Sequence, residues 1–93
     1  MVSSVLESKI QTNIKNAFKR RGWLCYKFSS PAQRGVPDLI CIGEGRAVFI
    51  EVKQPGKRPT KQQILHLKRL RGQGVAAGFV TNVDEALDLA GLA

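Results

Sequence analysis

Two short apolar runs separated by a glycine-rich turn dominate the middle of the chain. The first covers residues 39–42 (Leu-Ile-Cys-Ile) and the second covers residues 47–50 (Ala-Val-Phe-Ile). β-Branched and aromatic side chains are typical of strands, and Gly43 and Gly45 suit a tight turn between them. The pattern therefore predicts a β-hairpin with its turn at residues 43–46.

A helix and a strand are predicted before the hairpin. Residues 5–21 carry apolar side chains at helical spacing: Leu6, Ile10, Ile14, Ala17 and Phe18. Ser4 and Glu7 form a capping-box pattern with Ser4 as the N-cap, and Gly22 ends the helix. Residues 23–28 then alternate as a strand does. Two of its aromatic residues, Trp23 and Tyr26, could stack on unpaired bases, but packing in the core or at its rim is the favoured interpretation.

Helix and strand alternate after the hairpin. Residues 54–59 form a basic loop with two prolines, and a second capping box begins a helix that extends from Thr60 to about Arg71. Residues 75–80 are predicted as a buried strand, and Asn82 caps a final helix to about Ala90. The order is αβββαβα. A right-handed crossover makes the last strand parallel to the second hairpin strand, which predicts an α/β fold with a small mixed sheet flanked by helices.

Composition supports one ordinary globular domain over residues 1–93. Hydrophobic residues make up 43% of the chain and charged residues 24%. No apolar run approaches the roughly 18 residues that a membrane span needs, and the N-terminus lacks a signal-peptide core. We therefore expect a cytoplasmic protein that does not bind a membrane. Cys25 and Cys41 lie in apolar runs and are interpreted as small buried hydrophobes, since the missing export signal argues against a disulfide.

The net charge is the most informative feature of the composition. The formal net charge is +8, and all 15 Lys and Arg lie within residues 1–79 beside only four of the seven acids. Such a surface suits a polyanion, and nucleic acid is the expected partner. The candidate phosphate-binding residues are Arg20, Arg21, Arg34, Lys57, Arg58 and Lys61. A merely solvated basic surface is the alternative.

Three charged residues converge at the open end of the hairpin. Asp38 precedes the first strand and Glu51 follows the second, at matching distances from the turn, and Lys53 lies on the same face as Glu51. Two close carboxylates repel each other, and a divalent cation with hard oxygen ligands, Mg²⁺ or Mn²⁺, removes the conflict. Lys53 would then orient or activate the attacking water, which predicts hydrolysis of a phosphodiester.

These residues carry a family resemblance. Pro37-Asp38, twelve residues, then Glu51-Val52-Lys53 resembles the PD-(D/E)XK nuclease signature, and Gly35-Val36-Pro37-Asp38 is similar to its VRR-NUC (virus-type replication-repair nuclease) family. The resemblance implies a restriction-endonuclease-like core and makes Asp38, Glu51, Glu7 and the Val52 carbonyl the metal ligands. It also implies a catalytic role for Gln63, although Lys61 replaces the usual proline and leaves Gln62 as an alternative.

The same resemblance implies a substrate and an assembly. Stand-alone members resemble Holliday junction resolvases that act as homodimers, so the resemblance implies a structure-selective endonuclease for branched DNA. It also implies a role in DNA repair and a phage or prophage setting, in the cytoplasm of a bacterial or phage-infected host cell. Two other functions stay open: a non-catalytic nucleic-acid-binding module with this fold, and a sequence-specific restriction-type nuclease. The chain lacks the Gly-x4-Gly-Lys-Ser/Thr of a phosphate-binding loop, so no nucleotide cofactor is expected.

Overall fold

A four-stranded mixed sheet organises the molecule. The computed structural model describes residues 2–30 and 32–92, with side chains from Leu6 onward. Its elements are α1 (Val2–Arg20), β1 (Leu24–Lys27), β2 (Leu39–Gly43), β3 (Arg46–Val52), α2 (Lys61–Gly72), β4 (Ala76–Val80) and α3 (Val83–Leu89). The strands lie in the order β1-β2-β3-β4, with β3 and β4 parallel and the other pairs antiparallel. The predicted αβββαβα order and mixed sheet are confirmed.

The two faces of the sheet are covered differently. Alternate residues of β3, Val48, Ile50 and Val52, are fully buried in a core with Ile14 and Phe18 of α1. Helix α3 packs against β4 and α1 on this side. The intervening residues of β3, which include Glu51, point to the other face, where α2 packs on β4 and β3. Glu51 therefore lies on the face of the sheet that α2 covers in part.

The turn of the hairpin is held by Trp23. Glu44 and Gly45 have φ of 52° and 75°, as a two-residue type I′ turn requires, and Gly supplies the second of these without strain. The Trp23 indole is 3% exposed and its Nε1–H donates to Glu44 Oε2 at 3.2 Å. The Arg46 guanidinium lies 5.1 Å from the ring centre and donates to the Ala90 carbonyl. Gly43 must stay small, because a Cβ there would lie 2.2 Å from the Trp23 ring.

The structure corrects two local predictions. Helix α1 begins at Val2, so Ser4 lies inside the first turn and is not the N-cap. Cys25 and Cys41 are joined by a disulfide and are not two separate thiols. They lie directly opposite each other in the β1–β2 register, and a pair of facing cysteines on neighbouring strands is close enough to bond. Gly22 does end α1 as predicted, with φ of 80°.

No helix within residues 2–30 and 32–92 combines the length and the apolar character that crossing a membrane requires.

Candidate active site

Asp38 and Glu51 meet at the end of the hairpin away from the turn. Leu39 is paired with Ile50, so the preceding Asp38 lies opposite the following Glu51. Facing residues of an antiparallel pair share a face of the sheet, and this face is the one on which α2 packs. The predicted convergence of the two carboxylates is present in the structure.

Asp38 is anchored to both neighbouring strands. Its Oδ2 accepts a hydrogen bond from the Val52 amide at 2.8 Å, and its backbone carbonyl accepts one from the Phe28 amide at 2.7 Å. The N–H and C=O of a strand residue point toward the same neighbour. The Val52 carbonyl therefore points toward β2, on the same side as the Asp38 carboxylate. The Val52 carbonyl oxygen and an Asp38 carboxylate oxygen are thus placed to coordinate one cation.

Glu51 is a buried acid with incomplete hydrogen bonding. It is 2% exposed, and its Oε2 accepts from Gln63 Nε2 at 3.1 Å and lies 3.6 Å from Lys53 Nζ. Its Oε1 is buried and has no hydrogen-bond partner among the described residues. A buried carboxylate oxygen without a partner is costly, so this atom is available to a ligand from outside the chain.

The electrostatics of Glu51 favour an additional positive charge. Burial, followed by repulsion from the Asp38 carboxylate, raises the pKa of Glu51 to about 8, although Lys53 acts in the opposite direction. One ammonium group therefore does not compensate two carboxylates in a desolvated position. A divalent cation would supply the missing charge and would coordinate the orphaned Oε1, so the residues present fit the metal that the family resemblance implies.

Gln63 links α2 to the acid pair. Its side-chain Oε1 accepts a hydrogen bond from the Thr60 backbone amide at 2.9 Å, and its backbone amide donates to Thr60 Oγ1 at 3.2 Å. Together the two bonds complete a capping box. Its Nε2 at the same time donates to Glu51. The sequence predicted a capping box at the start of this helix, and the family resemblance implied a role at the site for Gln63. One side chain makes both the cap and the contact with Glu51. The hydrogen bond to Glu51 identifies Gln63, and not the alternative Gln62, as the glutamine that contacts the acid pair.

Replacing Gln63 tests this double role. We expect Gln63→Ala to destabilise the fold by about 1 kcal/mol through loss of the cap and to lower nuclease activity, because Glu51 loses its only described side-chain N–H donor other than Lys53. Chemical denaturation and cleavage assays measure the two effects separately. Gln62→Ala is the matched control, since that side chain is exposed. Equal losses in both variants would contradict the assignment.

The other predicted site residues are distributed unevenly. Lys57 and Arg58 are exposed in the loop after β3, and Lys61 is the exposed first residue of α2. Arg34 is exposed in the loop before β2, whose Gly35 touches the start of α2. All four therefore belong to segments that adjoin the acid pair.

Glu7, Arg20 and Arg21 stand apart. Glu7 is half-buried on α1, and in the described ranges no third His, Cys, Asp or Glu joins Asp38 and Glu51 in a metal-ligating group. Its role as a ligand stays a prediction. Arg20 and Arg21 precede β1, whose first residue Leu24 pairs with Ile42 near the turn. They lie at the opposite end of the sheet from Asp38, roughly 13–17 Å away along β2 at about 3.3 Å per residue.

Gly35 has a role that sequence reasoning missed. Its φ is 83°, and a Cβ at this position would lie 2.8 Å from the Gln62 carbonyl carbon. Only glycine therefore lets the loop before Asp38 pack directly on the first turn of α2. The signal was present in the sequence, since Gly35 opens the Gly-Val-Pro-Asp motif, but nothing in the motif alone indicates the contact with α2.

The chain is similar to several known proteins. Residues 3–84 match the family model of the VRR-NUC domain. A relative named "Putative nuclease p44", from Acyrthosiphon pisum secondary endosymbiont phage 1, is 37% identical over 71 residues, which cover 75% of this chain and 76% of that protein. A solved structure of a VRR_NUC domain superposes with a TM-score of 0.80 at 27% identity, covering 92% of this chain and 95% of the other. A second, a VRR_NUC domain protein, gives 0.69 at 25% identity, covering 91% and 84%. The chain therefore belongs to the VRR-NUC domain family and is a nuclease domain.

Proposed function

We propose that this nuclease domain is a Mg²⁺- or Mn²⁺-dependent endonuclease that hydrolyses phosphodiester bonds in branched DNA. The observation that carries the metal dependence is the buried Oε1 of Glu51, which lies beside the Asp38 carboxylate and has no hydrogen-bond partner in the part of the chain that the structure describes. Asp38, Glu51 and the Val52 carbonyl would hold the cation. When bound, a divalent cation at such a site polarises a phosphate oxygen and lowers the pKa of a coordinated water.

Lys53 gives the site a positive charge of its own. Its ammonium group lies 3.6 Å from Glu51 Oε2, and its side chain is 15% exposed, so it is both paired and accessible from solvent. We propose that Lys53 orients the attacking water and stabilises the negative charge that develops on the phosphate. Gln63 keeps Glu51 in position by donating to the oxygen that Lys53 also contacts, which leaves Oε1 for the cation.

Recognition through phosphates supports a structure-selective nuclease. The exposed cations near the site, Arg34, Lys57, Arg58 and Lys61, can contact phosphates, which fix position but carry no base sequence. A four-way junction offers two equivalent cuts related by a two-fold axis, so we propose that the chain acts on it as a homodimer. Sedimentation that shows only monomers at working concentrations would remove this part of the proposal.

One assay separates the candidate functions. Linear, flap, fork and four-way substrates are incubated with Mg²⁺, with Mn²⁺ and with chelator, and products are mapped on sequencing gels. We expect metal-dependent cutting that is at least tenfold faster on branched than on linear DNA. Equal cutting of all substrates would contradict branch selectivity, and a fixed cleavage sequence would indicate a restriction-type nuclease. Salt-sensitive binding without cutting would contradict the enzymatic function.

A further inference from the structure

A strip of open apolar side chains extends from the acid pair along β1 and β2. Leu24, Tyr26 and Phe28 are 56%, 55% and 46% exposed, and Ile42 is 38% exposed. We call these four residues the apolar strip. The sequence favoured packing in the core or at its rim for Trp23 and Tyr26. Trp23 is buried in the core, whereas Tyr26 lies outside the core and exposes more than half of its surface.

The apolar strip lies on the same face of the sheet as Glu51. Leu24 is paired with Ile42, and Tyr26 with Ile40. This register continues to Phe28, whose amide donates to the Asp38 carbonyl at 2.7 Å. Because paired residues share a face, Phe28 lies one strand spacing, about 4.8 Å, from Asp38, and Tyr26 lies two residues further along β1. The strip is thus continuous with the candidate active site.

The fold does not account for this exposure. Helix α2 packs on β4 and β3 and leaves the β1 part of the face open. Exposing one apolar side chain is ordinary, but four that adjoin a catalytic centre indicate a surface that contacts something. Its occupant can be inferred from charge and from area.

Charge on this side of the molecule favours a polyanion. The acids Asp84, Glu85 and Asp88 lie on α3, which packs on the opposite side of the sheet with α1. The exposed cations on this side belong to the segments that adjoin the acid pair: Arg34, Lys57, Arg58 and Lys61. Two copies joined through this face would bring these cations together. A nucleic-acid strand would instead neutralise them.

The exposed area of the apolar strip also favours nucleic acid over a second copy of the chain. A stable protein interface buries about 800 Å² on each partner. Large side chains offer about 200 Å² each when fully exposed, so four that are half exposed offer on the order of 400 Å². The apolar strip is too small to hold two copies of the chain together, but it matches one or two nucleobases. Aromatic rings beside basic residues are the combination that binds unpaired bases.

We propose that Phe28 and Tyr26 stack on unpaired bases next to the scissile phosphate and so make the enzyme selective for DNA branch points. This inference rests on the proposed nuclease function and identifies the feature of branched DNA that is recognised. Bases inside a duplex have both faces covered by their neighbours, so Phe28 and Tyr26 can stack only on a base that is unpaired or displaced. A fork or a flap supplies such a base beside an otherwise ordinary backbone, and a four-way junction supplies one where a base pair at its centre opens.

Base stacking is read with 2-aminopurine, whose fluorescence falls when an aromatic side chain stacks on it. The probe is placed at the branch point of a fork or, as the control substrate, ten nucleotides inside a paired arm, and binding is measured in chelator so that no cutting occurs. We expect quenching at the branch point only. Phe28→Leu and Tyr26→Leu, which keep an apolar side chain but remove the ring, should abolish the quenching and weaken fork binding by roughly tenfold each. Leu65→Ala, at an exposed apolar residue of α2, is the surface control.

Cleavage gives a second, independent readout. In the presence of Mn²⁺, the two ring-removal variants should lose at least tenfold more activity on the fork than on a linear duplex. Equal losses on both substrates, or unchanged quenching, would overturn the role of Phe28 and Tyr26 without affecting the nuclease function. Absence of cutting by the wild-type chain on every substrate would instead defeat the proposed function, while the quenching assay still decides whether the rings stack.

A charge substitution distinguishes DNA from a second copy of the chain. Leu24→Lys puts a cation at the far end of the apolar strip, where a DNA strand tolerates it and an apolar protein interface does not. We expect sedimentation to give the same oligomeric state for Leu24→Lys as for the wild type. Conversion of a dimer to monomers would show that the strip is an interface between copies and would overturn the proposal.

Discussion

Asp38→Asn and Glu51→Gln are each expected to lower the rate of DNA cleavage by about 10³-fold or more while leaving DNA binding intact. Each change keeps the size of the side chain but removes a negative charge and a metal ligand. Neither residue carries a positive charge that could attract a phosphate, so the affinity for DNA should stay the same or rise. Cleavage is followed by single-turnover kinetics on a four-way junction, and binding by fluorescence anisotropy in chelator.

Two acids outside the site provide matched controls. Glu44→Gln makes the same carboxyl-to-amide change at the turn, where the new amide oxygen can still accept from Trp23. Asp84→Asn makes it on the exposed side of α3. Both should cut DNA at nearly the wild-type rate. If all four variants were equally active, Asp38 and Glu51 would have no catalytic role. If all four lost activity together, the loss would reflect general charge effects.

The metal-free protein is expected to lose stability as the pH rises from about 4.5 to about 8. The pKa of Glu51 is raised in the folded state, to about 8 from an ordinary 4.5, by burial and by Asp38. As the pH rises, Glu51 therefore loses its proton in the unfolded chain before it does so in the folded chain. The stability that the protonated form of Glu51 contributes is complete only below the pKa of Glu51 in the unfolded chain. The free energy of unfolding should fall by up to about 1.4 kcal/mol per pH unit from this one group. Denaturation in urea at a series of pH values measures it.

Metal and mutation should both remove this pH dependence. Saturating Mg²⁺ or Mn²⁺ favours the ionised carboxylates, so the free energy of unfolding at pH 8 should rise toward its value at pH 5. Glu51→Gln has no proton to lose and should show a flat profile over the same range, with a smaller response to metal than the wild type. Glu44→Gln should retain the wild-type slope. A wild-type profile that is already flat in chelator would contradict a raised pKa at Glu51.

The position of the acid pair could be predicted because the hairpin is short and its turn is well specified. Gly43-Glu44-Gly45 fixes a two-residue turn, and the register from that turn places Asp38 opposite Glu51 by counting alone. The contact with Gln63 was harder to predict, since a capping box and a site contact require the same residue type at the same place. Only the packing of α2 on the sheet shows that both occur.

Features that depend on the register of β1 could not be predicted. The sequence shows a strand at residues 23–28 but does not say which of its residues face β2, because a long loop separates the two strands. Two contacts follow from that register: the disulfide between Cys25 and Cys41, and the hydrogen bond from the Phe28 amide to the Asp38 carbonyl. Tyr26 is exposed because α2 packs on β3 and β4 and leaves β1 uncovered, and the position of a helix on the sheet is a property of the tertiary structure.

Titration calorimetry with Mn²⁺ tests most directly whether Asp38 and Glu51 form a seat for a divalent cation. At pH 7 we expect one Mn²⁺ per chain, with protons released as Glu51 ionises, so that the measured heat varies with the ionisation enthalpy of the buffer. Asp38→Asn and Glu51→Gln should each weaken binding at least tenfold, and Glu44→Gln should not. Binding of Mn²⁺ with the same affinity to the wild type and to both site variants would contradict the assignment.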